Sequence, residues 1–150
     1  MREIGERAGV DPALIARYFG GKEGLFLATL ERDDGRSLPT DPAAALAAIL
    51  RGSAHHGVGP IALSMVRPGA SDSLRERTAG IVRTRVIEPL AAELDARGVP
   101  DARLRAEALY SVALGISLTR ASGTLPALAA ADVDSLAELL EPVAAALGRG

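Results

Sequence analysis

Cysteine is absent from this 150-residue chain. Disulfides, thiolate metal sites and cysteine nucleophiles are therefore excluded, and a reducing compartment fits. Aromatic residues make up only 3% of the sequence, so a core built on stacked rings is excluded too. Lysine occurs once, as Lys22, and 17 basic residues stand against 19 acidic ones for a net charge of −2. The chain as a whole is not a polycation, and any contact with nucleic acid must come from a local patch. No apolar run approaches the ~18–20 residues needed to span a bilayer. The first residues, Met-Arg-Glu-Ile-Gly-Glu, lack the apolar core of a signal peptide. The expected location is the cytoplasm, away from membranes. There is no glycine-rich phosphate loop, no spacing that supports a Ser/His/Asp arrangement, and no metal-ligand motif. The sequence predicts no enzyme, no cofactor and no metal.

What is present is aliphatic. Hydrophobic residues reach 48%, chiefly Ala, Leu, Val and Ile, a composition that favours helices packed at close range. Helix punctuation is dense and strand signals are nearly lacking, so the predicted class is all-α. The first helix spans about 1–8, with Gly9 as its stop. The second spans about 12–19, with Asp11 as N-cap and Pro12 at the first helical position. After Gly20-Gly21 a third runs over about 22–32, with Leu25, Phe26, Ala28 and Leu30 on one stripe. Residues 33–42 are polar and broken by Gly and Pro, and read as a linker. This divides the chain into a head, 1–34, and a body, 42–150. Body helices are expected over about 42–56, 60–66, 73–97, 102–121 and 133–147. Ser73-x-x-Glu76 reads as a capping box, Pro89 predicts a kink, Gly98 is a stop, and Asp101 reads as the next N-cap.

The head has the parts of a helix-turn-helix. Ile4-Gly5-Glu6-Arg7-Ala8-Gly9-Val10-Asp11 offers a small residue for close helix approach, a glycine able to take a left-handed turn, and Val10 to point back into a small core. Asp11-Pro12 then opens a second helix whose first residues are free to meet base edges. The block Ile-Gly-Glu-Arg-Ala-Gly-Val is followed by Arg-Tyr-Phe-Gly-Gly-Lys-Glu-Gly-Leu-Phe. Together they resemble the TetR family of regulators, with Phe19, Lys22, Glu23, Leu25 and Phe26 at the family spacing.

The resemblance implies a transcriptional regulator, usually a repressor, with double-stranded DNA, a small-molecule effector and a second copy of itself as partners. By position it implies DNA contacts from Asp11, Ala13, Leu14, Arg17 and Tyr18, with Lys22 on a phosphate at a helix N-terminus. Arg17 and Tyr18 reach phosphates, while Ala13 and Leu14 suit thymine methyls. Phe19, Leu25 and Phe26 are expected in the core. Two features depart from the family. Its usual aromatic ahead of Arg17-Tyr18 falls at Ala16. Residues 1–32 also balance five basic side chains (Arg2, Arg7, Arg17, Lys22, Arg32) against five acidic ones (Glu3, Glu6, Asp11, Glu23, Glu31). The family further places a helix before the position of Met1, packing on Ile4, Val10 and Phe19. The expectation is a native chain longer at this end. The alternative is a ligand-binding and dimerisation module without DNA activity.

For the body, the resemblance implies a helical domain that binds the effector and dimerises. Residues 102–118 are apolar nearly all round, which marks a helix as either central or part of an interface. Pairing this helix and 133–147 with their copies predicts a four-helix interface through Leu109, Val112, Ile116, Leu136, Leu140 and Val143. Pocket candidates are His55, His56, Met65, Ile81 and Arg85. The histidine pair suits an acidic or polar ligand, or else a surface turn before Gly57. So few aromatics argue against stacking of a large planar ligand.

Overall fold

The computed structural model describes residues 2–19, 25, 28, 38–66, 69 and 71–149, and among these every regular element is helical. The head contributes α1 (Arg2–Ala8) and α2 (Pro12–Phe19). Of the third helix expected over 22–32, only Leu25 and Ala28 are described, and both are helical; Lys22, Glu23 and Phe26 lie outside the described residues. The body contributes α3 (Pro42–His56), α4 (Pro60–Val66), α5 (Asp72–Val82), a π-helical turn (Arg83–Ile87), α6 (Glu88–Ala96), α7 (Ala102–Ser122), α8 (Pro126–Ala130) and α9 (Val133–Leu147). The short α8 was not foreseen.

Local chemistry explains most boundaries. Asp41 caps α3, its carboxylate accepting from the Ala44 N–H at 3.0 Å, with Pro42 at the first helical position. Asp132 caps α9, accepting from the N–H groups of Asp134 and Ser135 at 3.1 and 2.9 Å. Two expected caps are corrected. α5 is capped by Ser71, not Ser73: the Ser71 hydroxyl accepts from the Leu74 N–H at 3.2 Å, and Ser73 lies inside the helix. This start puts Asp72 in the first turn, where the helix dipole favours a negative charge. Asp101 makes no capping hydrogen bond, because its backbone is left-handed (φ 53°, ψ 34°) and a side-chain cap needs the extended region.

The helix expected over 73–97 is continuous but not uniform. Pro89 has no N–H to give the carbonyl of Arg85, four residues back. The backbone widens just before it, and the Glu88 N–H reaches the carbonyl of Arg83, five residues back. The expected kink is thus taken up as a π-turn, a form often found at functional sites.

The core runs through α3 (Ala45, Leu46, Leu50), α6 (Leu90, Leu94), α7 (Ala106, Leu109, Ala113) and α9 (Leu136, Ala137, Ala144), with Val82, Ile87 and Val99. α7 is the hub, packing against α3, the π-turn, α6, α8 and α9. Fully buried alanines at 45, 106, 113 and 144 have no bulk to hold helices apart, which allows the close crossings expected from composition. Two arginines of α7 tie down neighbouring helix ends. Arg105 lies 3.2, 3.2 and 2.7 Å from the carbonyls of Ala146, Leu147 and Arg149. Arg120 donates to the carbonyls of Leu128 and Ala131 at 3.1 and 2.8 Å. Both satisfy carbonyls that a helix end leaves without an internal partner.

Candidate functional site

The head is built around one turn. α1 ends in a Schellman turn: the Val10 N–H bonds the Gly5 carbonyl at 2.9 Å and the Gly9 N–H the Glu6 carbonyl at 3.4 Å. Gly9 takes φ +64°, a conformation that costs a side-chain-bearing residue about 1–2 kcal/mol. Asp11 then caps α2, its carboxylate accepting from the Ala13 N–H at 2.8 Å. A tight turn between two helices, with the second helix capped at once, is the local geometry of a helix-turn-helix.

α2 buries one side and presents the other. Ile15 is buried, while Ala13, Leu14, Ala16, Arg17 and Tyr18 are exposed, Tyr18 to 78%. Leu14 sits one turn before Arg17 and Tyr18, so these form one outward patch with an apolar end and a cationic, hydroxyl-bearing end. Arg7 is paired with Glu3 at 3.2 Å across open solvent, a contact worth little. Val10 does not turn into a core as expected; it is 41% exposed. In a Schellman turn this residue packs on the side chain five positions back, which here is Gly5 and has none. Phe19, also expected in the core, is 40% exposed.

The body holds a half-open cavity of about 740 Å³. α3 supplies Ala48, Ile49, Ser53, His55 and His56, and the loop after it supplies Gly57, Val58 and Gly59. Ile61 and Ala62 come from α4, and Ile81 and Val82 from α5. The π-turn adds Arg85 and Val86, and α7 adds Tyr110, Leu114 and Ser117. Leu38 and Pro39, the residues leading into α3, form a further part of the wall. Of the five pocket candidates, the cavity collects His55, His56, Ile81 and Arg85. Met65 is not on its wall; its sulfur accepts from the Tyr110 hydroxyl at 3.7 Å. The histidine rings are tilted, 6.4 Å apart, in the last turn of α3. Both are exposed, so they sit at the rim.

Sequence reasoning missed Tyr110, although it is the sole Phe, Tyr or Trp after residue 26. Burial pushes its phenol above the ordinary value of 10, so the ring stays neutral and donates a hydrogen bond at any physiological pH. Ser117 was missed as well. It is buried, and its hydroxyl is hydrogen-bonded to Ser53 at 2.9 Å.

The interface candidates divide. Leu109 and Leu136 are buried within the protomer's own core, because α7 and α9 pack on α3 through them, and this corrects their assignment to an interface. Val112, Ile116 and Leu140 are half-buried against that core. Val143 is open to solvent, as are Leu104 and Leu139.

A capped helix-turn-helix followed by a helical body with a cavity is the architecture of a helix-turn-helix transcriptional regulator. Residues 1–29 match the family model for bacterial regulatory proteins, tetR family, and residues 42–147 match that for the tetracyclin repressor-like C-terminal domain. The chain belongs to the TetR family and is a transcriptional regulator. No curated protein and no solved structure matches it. Among the described residues, no helix is long and apolar enough to cross a membrane.

Proposed function

We propose that this regulator is a ligand-responsive repressor without enzymatic activity, acting in the cytoplasm and binding a palindromic operator as a homodimer. The observation that carries the reading is the cavity wall at Leu38 and Pro39. These residues fall between the two family matches, which cover 1–29 and 42–147. In this reading an occupant of the cavity touches the residues that lead into α3 from the DNA-reading head. The volume and the largely aliphatic walls suit a small organic molecule. Its regulatory effect is limited to its differential affinity for the DNA-bound and released forms.

In this reading α2 enters the major groove. Ala13 and Leu14 meet thymine methyls, Arg17 and Tyr18 hold phosphates, and Asp11 keeps the N-terminus of the helix formed. Lys22 adds a phosphate contact. Two heads meet successive turns of the groove about 34–36 Å apart, which requires the dimer. The dimer is formed through the solvent-facing parts of α7 and α9, with Val112, Ile116, Leu140 and Val143 toward the partner.

The test is a gel-shift titration with DNA flanking the native gene. Retardation that is saturable and relieved by an effector supports the repressor. Absence of retardation at every salt concentration overturns it in favour of a sensing module without DNA activity. Lys22→Ala should weaken binding to all sequences alike and reduce the slope of log K against log salt by about 0.9. A loss confined to certain operator bases contradicts the phosphate assignment.

A further inference from the structure

Four serines and threonines stand in α7, and one of them is bonded differently from the rest. Ser111, Thr119 and Ser122 each give their hydroxyl hydrogen to a carbonyl about one turn back, those of Glu107, Gly115 and Thr119, at 2.7, 2.7 and 2.8 Å. Ser117 does not. It is the buried one, at 3% exposure, and it lies on the cavity wall. Its one hydrogen-bond partner among the described residues is Ser53 of α3, which lines the same wall. Ser53 is the donor in that bond, at 2.9 Å, and it also donates to the Leu50 carbonyl at 2.8 Å. A hydroxyl has one hydrogen and two lone pairs. Ser53 therefore shares a single hydrogen between two acceptors, and Ser117 receives. The hydrogen of Ser117 itself has no acceptor among the described residues. A buried donor left in this state is destabilising, and native structures rarely tolerate one without a purpose. Around it the wall offers branched aliphatic side chains, with Leu114 one turn away on α7 and Ile49, Ile81 and Val86 from other elements.

We infer that the effector is an aliphatic carbonyl compound whose carbonyl oxygen accepts the hydroxyl hydrogen of Ser117. The inference rests on the proposal that this cavity is the effector site. A carbonyl oxygen supplies lone pairs and brings no hydrogen of its own. A ligand hydroxyl would add a second donor, and that donor would need a partner beside Leu114. Ser53 completes the arrangement. By donating to the Ser117 oxygen it polarises that hydroxyl and strengthens the bond given to the ligand. The carbon chain next to the carbonyl meets Leu114, which lies about 4.5 Å from Ser117 along the axis of α7. Ile49, Ile81 and Val86 take the rest of its apolar surface out of water.

The experiment titrates the full chain, followed by NMR, with methyl hexyl ketone and methyl decyl ketone. The controls are the matching alcohols and the matching hydrocarbons, in which a methylene group replaces the carbonyl oxygen without changing the shape. The ketones should bind more tightly than the alcohols, and their carbonyl-carbon resonance should move downfield on binding. Ser117→Ala should weaken ketone binding about tenfold and cancel the downfield displacement, while hydrocarbon binding stays unchanged. Alanine suits a helix and leaves Ser53 the Leu50 carbonyl, so helix content by circular dichroism should not change. Ala62→Phe and Ile49→Trp, which fill the cavity from α4 and from α3, should each abolish binding of every probe. If the alcohols bind as tightly as the ketones, or if Ser117→Ala affects ketone and hydrocarbon alike, the carbonyl assignment falls while the cavity stands as a ligand site. If no probe binds at either chain length, or if binding survives both filling variants, the cavity reading falls and the inference with it.

Discussion

Among the described residues outside the cavity, Asp132 is the one whose ionisation the fold clearly perturbs. The Ser135 backbone N–H and then the Ser135 hydroxyl hydrogen-bond its carboxylate, which holds its pKa below the ordinary carboxylate value. A carboxylate depressed in the folded state adds stability above its unfolded pKa of about 4 and loses it as pH falls through the folded value. Asp132→Asn keeps an oxygen to cap α9 but removes the charge. Its urea-unfolding stability should therefore fall less than that of the wild type between pH 6 and pH 2. Curves that run parallel over that window would show that the charge contributes nothing. Asp134 and Ser135 were unremarkable in the sequence, and the cap that they complete was legible only as an Asp ahead of an apolar run.

Two Schellman turns show how one element type has different consequences. Gly9 and Gly98 both take positive φ and close the same pair of backbone hydrogen bonds. After Gly98, Val99 packs with Leu94, five residues back, and both are buried in the core. After Gly9, Val10 faces Gly5 and is left 41% exposed. The glycine marks the turn in either case; the residue five back decides whether the turn is also a packing site. Asp101 makes the complementary point. As a side-chain cap its loss would destabilise α7, but its left-handed backbone and missing cap bond reverse the sign. Asp101→Gly should raise stability, by up to about 1 kcal/mol in denaturant unfolding, by relieving the strain of φ 53°. A clear loss of stability would restore the cap. The π-turn belongs to this scale as well. Pro89 announced an irregularity, and the π-turn that absorbs it is flanked by Ile87 and Leu90, both buried in the core.

At the scale of the whole molecule, α7 is surrounded by its own chain, and this redraws the proposed interface. A helix apolar on most faces was read as central or as a contact surface, and here the central role uses Leu109. What α9 leaves exposed is Leu139 and Val143, one turn apart on a single stripe, at 73% and 41%. Replacing both with Glu should raise the dimer dissociation constant at least about tenfold in sedimentation equilibrium, with helix content by circular dichroism unchanged. Leu109→Glu should instead unfold the protomer, since it buries an unpaired charge. A Leu139→Glu/Val143→Glu protein that stays fully dimeric would move the interface elsewhere.

The sequence by itself determined the helical class, the family and most helix ends, because Gly, Pro, Asp and Ser act on the two or three peptide groups beside them. Its motif at Ala8-Gly9-Val10-Asp11 was sufficient to locate the turn of the head. Tertiary structure decided which apolar residues are interior and where the cavity lies. Arg51 finds Asp134, and Tyr110 finds Met65, across long stretches of chain that no local periodicity encodes. The same holds for the wall at Leu38 and Pro39. As sequence they are merely the end of a polar linker, and only packing beside α3 makes them part of the cavity wall.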